Sequence, residues 1–333
     1  MEVEKLLTIV IPVYNVEKYI RQCMDSVIVP QNQMEQLEVI VVNDGTPDNS
    51  AKIAREYAEQ YPDTIKVIDK ENGGHGAAWN LGLKMATGKY VRFLDSDDWL
   101  SDLSGFITRL QTLDVDVVAT SIIRYSDKTG LEESDCLTKI EFDKVFPIED
   151  IPSDVVTNKS DIFNFHRCTY RTSMFQNAQP LFCERVYYDD SILYVAPMIL
   201  GRTICIMERT LYVYRTSRDG QTMDESVEKA HVYDYVSVCR GIVDFLNRHT
   251  AITGNQRVQK DLIIQEYIKR PFRIMTLLPY REYKRVLMDW FPLIEGMGKI
   301  KLKPKMKVYK YTTPLVSWWA IRMFDKYLLK NRA

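Results

Sequence analysis

Residues 90–99 read Tyr-Val-Arg-Phe-Leu-Asp-Ser-Asp-Asp-Trp. Tyr90 to Leu94 are β-formers of the kind that build a buried strand, and the run stops at three carboxylates, Asp95, Asp97 and Asp98. Three like charges at the mouth of a sheet are unfavourable unless a cation or hydrogen-bond donors stand between them. Asp95 and Asp97 are two apart, so in extended backbone their side chains project the same way. Such a pair offers the oxygen ligands that suit Mg²⁺ or Mn²⁺, with positions left for phosphate oxygens and water. The plainer alternative is that Asp97 and Asp98 cap a helix running from Trp99 through Leu110.

Upstream, strand and helix alternate. Leu6 to Val13 is an apolar run broken only by Thr8, with Pro12 marking its end and Tyr14-Asn15 following. A helical pattern carries Tyr19, Ile20, Cys23, Met24 and Val27. Leu37 to Val42 leads into Asn43-Asp44-Gly45, and a turn at Thr46–Ser50 opens a helix bearing Ile53, Ala54 and Tyr57. Ile65 to Ile68 precedes Asn72-Gly73-Gly74-His75-Gly76, after which a helix with Trp79, Leu83 and Ala86 closes on Thr87-Gly88. This alternation predicts an α/β chain with a doubly wound, mostly parallel sheet and helices on both faces. Ligands of such sheets bind at the carboxyl ends of strands. Tyr14, Asn15, Asp44, Asn72 and Asp95 to Asp98 all stand there, and their convergence weighs more than any one of them.

Downstream, a fifth strand is expected at Val115 to Ile123, and loops or an edge hairpin over 124–160. The chain returns to the sheet over Phe163 to Leu211, with Cys168–Arg171 and a helix at Ser191–Leu200. Helices follow at Glu225–Asn247, Arg257–Thr276 and near Glu282–Asp289. Two units are therefore expected, 1–222 and a smaller helical C-terminal one, 223–333.

Composition narrows the function. With 44 basic against 45 acidic residues, nothing suggests a nucleic-acid binder. Six cysteines without a Cys-x-x-Cys pair look like free thiols of a reducing compartment. Met1 to Lys5 hold two acids and no apolar segment, and no apolar run approaches the roughly 18 residues that cross a bilayer. The expected location is cytoplasmic.

Each motif has two readings. Asp44 can accept hydrogen bonds from a base or ribose, or satisfy the turn it begins. Tyr14 can offer its ring face to a base or cover the sheet edge. Asn72 to Gly76 places three glycines before a helix, which allows close approach to an anionic ligand. It matches neither the Gly-Lys-Ser/Thr phosphate loop nor Gly-x-Gly-x-x-Gly, so ATP-type and NAD-type readings lose support. His75 fits a turn or packing role better than metal ligation. Tyr187-Tyr188-Asp189-Asp190 supplies either helix-dipole partners or a general base near the metal. Tyr212 to Arg215, then Arg218, Gln221 and Thr222, form a solvated loop or a grip for departing phosphates.

Together these stretches resemble the family 2 glycosyltransferases, inverting nucleotide-sugar enzymes of the Rossmann-like GT-A fold. The resemblance lies in residues 8–15, 41–48, Asn72-Gly73-Gly74, Ala78-Trp79-Asn80-Leu81-Gly82 and 93–98, and more loosely in Asp189-Asp190 and Tyr214-Arg215. It implies a UDP-sugar donor cradled by Pro12, Tyr14, Asn15, Asp44, Asn72, Gly73, Gly74, Asn80, Asp95, Ser96 and Asp97. It also implies Mn²⁺ or Mg²⁺ on Asp95 and Asp97, Asp190 as base with Asp189 beside it, and Arg215 with Gln221 or Thr222 on the pyrophosphate. The acceptor would be a glycan of cell-surface polysaccharide synthesis, lipid-linked if the tail meets a membrane. Two departures stand out: Trp79 where the family often has arginine, and Asp189 where it has glutamate. A sugar nucleotidyltransferase and a non-catalytic sugar- or membrane-binding protein are the rival readings.

Residues 299–333 form a basic, aromatic tail. Six lysines lie between Lys299 and Lys310, and Trp318 and Trp319 precede Arg322, Lys326 and Lys330 on one stripe. Such a segment suits peripheral attachment to the anionic inner face of the cell membrane, or packing against its own domain or a second subunit in a homo-oligomer.

Overall fold

Strand β1 (Leu7–Val13) is buried along its whole length, as are six of the seven residues of β2 (Leu37–Asn43). A strand apolar on both sides needs helices on both faces. The chain supplies them as α1 (Ile20–Ser26), the single turn α2 (Gln31–Met34), α3 (Ser50–Gln60) and α4 (His75–Met85). With β3 (Ile65–Asp69) and β4 (Tyr90–Phe93) these strands make a parallel group in the order β3-β2-β1-β4. The chain winds outward from β1 to β3 and then returns to the other side of β1. That reversal opens a crevice beyond the carboxyl ends of β1 and β4, where Tyr14 and Asp95 stand.

The remainder of the sheet is mixed. After β5 (Trp99–Leu100) and α5 (Leu103–Leu110) come β6 (Val117–Ser126), β7 (Glu132–Asp135), β8 (Val145–Pro147), β9 (Cys168–Arg171), α6 (Ala196–Leu200) and β10 (Thr203–Thr216). Strand β9 lies antiparallel between β4 and β6, β10 runs parallel to β6, and β5 returns antiparallel on β10. Helices α7 (Glu225–Ala230), α8 (Val232–Arg248) and α9 (Tyr280–Gly296) follow. This computed structural model describes residues 4–138, 140–151, 162–218, 225–249 and 278–296. One apolar cluster runs from Leu7 through the buried faces of α8 and α9 to Trp290.

Several local expectations change. The helix expected from Trp99 begins at Leu103, because Trp99-Leu100 pairs with Tyr212-Val213 of β10 instead. Its cap is Asp102, which accepts the Gly105 amide at 3.0 Å, so Asp97 and Asp98 cap nothing. The expected helix at Ser191–Leu200 is a 3₁₀ turn, Asp189–Tyr194, followed by α6. Glu225–Asn247 is two helices that part at His231. The helix at Arg257–Thr276 and the tail 299–333 lie outside the described residues.

Candidate functional site

The loop after β1 leaves Tyr14 50% exposed and Asn15 in the left-handed region, φ 56°. Pro12 stays inside β1, opposite Val42. The Asn15 amide donates to Thr46 Oγ1 at 2.8 Å and the Glu17 amide to Asp48 Oδ2 at 2.9 Å, tying this loop to the one after β2. Asp48 is the knot: burial works to raise its pKa, but hydrogen bonds from Ser50, Thr46 and Glu17 hold it at about 2.

Asp44 is 3% exposed and organises the glycine loop. Its Oδ1 accepts from Lys70 Nζ at 2.5 Å and from the Gly73 amide at 2.8 Å, and its Oδ2 accepts the Gly74 amide at 2.8 Å. Gly74 has φ +85° against the Arg185 backbone, a conformation that favours glycine. Asn80 is engaged by the backbone of Leu181 and Phe182. Its Oδ1 accepts the Leu181 and Phe182 amides at 3.0 Å, and its Nδ2 donates to Phe182 O at 2.9 Å. A cavity of about 630 Å³ beside this helix is lined by Lys70, Asn72, Gly73, Asn80, Lys84 and Arg185, but by none of the acids 95–98 or 189–190.

The acids at the end of β4 differ in their partners. Asp95 Oδ1 lies 3.1 Å from His75 Nε2, and the Asp95 amide donates to Tyr212 Oη at 3.2 Å. Asp97 Oδ2 accepts Arg218 Nε at 2.5 Å. Asp98 is buried and locks β10 in place, accepting the Arg215 amide and Tyr212 Oη at 2.7 Å each. Ser96 is buried among them. Burial raises the pKa of Asp97, and burial with the charges of Asp97 and Asp95 lifts Asp98 well above the carboxylate range. Burial pushes Asp95 up as well, but His75 outweighs it and the net shift is downward.

His75 is more than a turn histidine. Its Nδ1 lies 3.1 Å from both oxygens of Asp189, which is 3% exposed, while Nε2 meets Asp95. Burial lowers its pKa, yet Asp189 and Asp95 together raise it well above the ordinary value. Asp190, next to Asp189, is half-buried. Tyr188 before them is left-handed at φ 65°, and its ring stacks on Tyr235 of α8 at 4.0 Å. His166, in the loop before β9, reaches Asp95 from another side: ligand atoms of Asp95, Asp98 and His166 all lie within 4.8 Å of one another. Burial drops the His166 pKa to about 3, which leaves the neutral imidazole that binds metal.

Arg215 is 5% exposed. It donates to Asp97 O at 2.8 Å and Gln22 Oε1 at 2.5 Å, pairs with Asp127, and has the rings of Tyr19 and Trp99 4.9 Å from its guanidinium. Arg218 reaches the Asp97 carboxylate with its guanidinium, whereas Arg215 reaches the Asp98 carboxylate with its backbone amide. Gln221 and Thr222 lie outside the described residues.

The structure thus joins Asp95 to Asp189 through His75, ties Asp44 to Gly73 and Gly74, and sets Tyr14-Asn15 and Asp95 to Asp97 after the ends of the neighbouring strands β1 and β4. His75, His166 and Arg218 join the acids. Only four histidines occur in the chain, and two of them flank Asp95. Asp98 is buried, Asp95 and Asp97 are half-buried, and the ligand atoms of Asp95, Asp98 and His166, within 4.8 Å of one another, fit a divalent cation of the Mn²⁺ or Mg²⁺ type.

The family model described as "Glycosyl transferase family 2" matches residues 8–176. "Uncharacterized glycosyltransferase EpsJ" of Bacillus subtilis is 32% identical over 244 residues, 68% of this chain and 67% of its own length. "Minor teichoic acid biosynthesis protein GgaB" of the same organism is 35% identical over 251 residues, 73% of this chain but 27% of its own length. "Poly(ribitol-phosphate) beta-N-acetylglucosaminyltransferase TarS" of Staphylococcus aureus is 25% identical over 273 residues, 80% of this chain and 44% of its own length. The chain therefore spans well under two thirds of GgaB and TarS. The crystal structure of S. aureus TarS 1–349 in complex with UDP-GlcNAc aligns with a TM-score of 0.53 over 87% of this chain and 89% of that one, at 18% identity. It shares the GT-A fold.

Proposed function

This chain belongs to glycosyl transferase family 2, and from that premise we propose that it moves one sugar from a UDP-sugar to a hydroxyl of a glycan acceptor, with inversion, in the synthesis of a cell-surface polysaccharide. The observation that carries the reading is the meeting of Asp95 and Asp189 on the His75 ring, with Asp97 and Asp190 close to them in sequence, at the end of β4 beside β1. The relatives' part in teichoic acid and poly(ribitol-phosphate) glycosylation, and the UDP-GlcNAc bound to TarS, support the choice of donor and acceptor class.

The exposed ring of Tyr14 gives the base a stacking surface. Asp44 Oδ2 accepts one bond from Gly74 and has a second lone pair for a base N–H, so organising the loop and holding uridine are compatible. Asp95 and Asp97, with His166 beside Asp95, would hold Mn²⁺ or Mg²⁺, whose positive charge stabilises a diphosphate leaving group. Arg218, on Asp97, stands where it can turn to diphosphate oxygens. Arg215 keeps β10 against the acids and so aims Arg218.

Half-buried Asp190 is the base. It takes the proton of the acceptor hydroxyl as that oxygen bonds to the anomeric carbon. The bond from that carbon to the diphosphate breaks, and its electron pair leaves with UDP. One displacement from the opposite face inverts the configuration.

We place the catalytic unit at 1–222 and give the tail from 299 a peripheral membrane role. Among the described residues no helix is long and apolar enough to cross a membrane. Co-sedimentation with anionic liposomes, full-length against a truncation at Gly298, tests the tail, and equal sedimentation would end that role. A panel of UDP-sugars assayed for Mn²⁺-dependent UDP release tests the activity; no release from any of them would reject it.

A further inference from the structure

We propose that His75 is a positioning residue that couples the cation-facing acid Asp95 to Asp189, so that a change at one carboxylate is felt at the other. The proposal rests on the assignment of Asp95 and Asp189-Asp190 to the transfer reaction made above. His75 meets Asp95 and Asp189 through opposite edges of one ring, at 3.1 Å each, although Asp189 lies 114 residues away in sequence. A planar ring bonded at both edges has little freedom to turn. Its face is also held. Trp79, one helical turn along α4, packs its indole 4.0 Å from the imidazole centroid.

Trp79 is itself fully buried against Phe93, Phe165 and Phe182, at centroid distances of 4.6, 5.0 and 5.0 Å. Phe93 belongs to β4, two residues before Asp95. Phe182 belongs to the segment leading to Asp189, which Asn80 of the same helix clamps by three hydrogen bonds. The neighbouring Gly76 has no room for a side chain: a Cβ there would run into Cys183 O and come within 3.0 Å of Asp189 Oδ2. Helix α4 is therefore seated on the Asp189 segment on one side and on β4 on the other, with His75 as the polar contact between them. The bulk of Trp79 is what this arrangement needs, since a flexible side chain would leave the imidazole unsupported.

The test measures Mn²⁺ binding to the full-length protein without sugar, by the electron paramagnetic resonance signal of free ion, for wild type, Asp189→Asn, His75→Ala, the double variant and His75→Gln. Loss of a hydrogen-bond partner behind a metal ligand typically changes affinity by about tenfold. The expected result is that Asp189→Asn shifts the Mn²⁺ dissociation constant by about that factor in the wild-type background and by less than about twofold when His75 is Ala. In transfer assays His75→Ala lowers kcat with donor KM nearly unchanged, and His75→Gln, whose amide N–H can donate to one of the two acids, restores part of it. Equal effects of Asp189→Asn in both backgrounds would mean through-space charge alone and would overturn the coupling. Should His75→Ala fail to fold, an unchanged Mn²⁺ constant in Asp189→Asn overturns it equally. Coupled Mn²⁺ binding without sugar transfer would instead reject the proposed function and leave the coupling standing.

Discussion

Arg218 Nε donates to Asp97 Oδ2 at 2.5 Å, whereas Arg215, three residues earlier on the same chain segment, meets Asp97 through its backbone carbonyl. The two arginines should therefore fail differently when truncated. Arg215→Ala empties an aromatic cage and removes the bonds to Asp97 O and Gln22, which costs about 3 kcal/mol and shows as a lowered midpoint in denaturant. Arg218→Ala should leave that midpoint nearly unchanged and cut kcat about 10²-fold, the usual effect of losing a donor to a developing anion. A large stability loss in Arg218→Ala would reverse the assignment.

Asp190→Asn keeps the shape of the side chain and removes its basicity. Transfer should fall by about 10²–10⁴-fold, while UDP affinity measured by calorimetry stays within a few-fold of wild type. Retained transfer would take Asp190 out of the role of base.

Glu38 gives the fold a defined acid limit. It is 2% exposed in β2 and accepts the Thr87 amide at 2.9 Å, Thr8 Oγ1 at 2.7 Å and Thr87 Oγ1 at 3.0 Å, with Lys66 at 3.3 Å. Burial raises its pKa, but these donors outweigh burial and the net value lies below the ordinary 4.5. A carboxylate depressed in the folded state stabilises above its unfolded pKa, and that stability is lost as pH falls through the folded value. Glu38→Gln should lower the melting temperature at pH 7 and shrink its drop between pH 7 and pH 3. An unchanged drop would show that Glu38 does not set the limit.

Gly82 seats α4 on β1, and a Cβ there would collide with the Val10 side chain. Gly82→Ala should cost about 1–3 kcal/mol through overpacking, despite the better helix propensity of alanine. A stabilised variant in thermal melts would contradict this packing.

The parallel half of the fold was legible because β1, β2 and β4 are short, mostly apolar runs interrupted by Thr8, Glu38 and Arg92, each ending at a polar loop. The acids at the end of β4 were legible for the complementary reason that they interrupt such a strand. What stayed hidden depends on partners far away in sequence. Trp99-Leu100 looks like the start of a helix until β10 arrives to pair with it. Asp44 looks like a turn residue or a ligand contact, and its ties to Gly73 and Gly74 come from a loop 29 and 30 residues on. His75 and His166 carry no local signal at all, since each becomes functional in appearance only when Asp95 is brought beside it. Arg215 and Arg218 sit in one polar stretch, and only the aromatic cage of Tyr19, Trp99 and Tyr125 separates the buried arginine from the one facing Asp97.

Crystals soaked with UDP and manganese, with data collected at the manganese edge, locate the ion. An anomalous peak bonded to Asp95 and Asp97 is expected, with diphosphate oxygens on the same ion and uridine between Tyr14 and Asp44. A bound UDP with its manganese peak away from Asp95 and Asp97 would contradict this assignment.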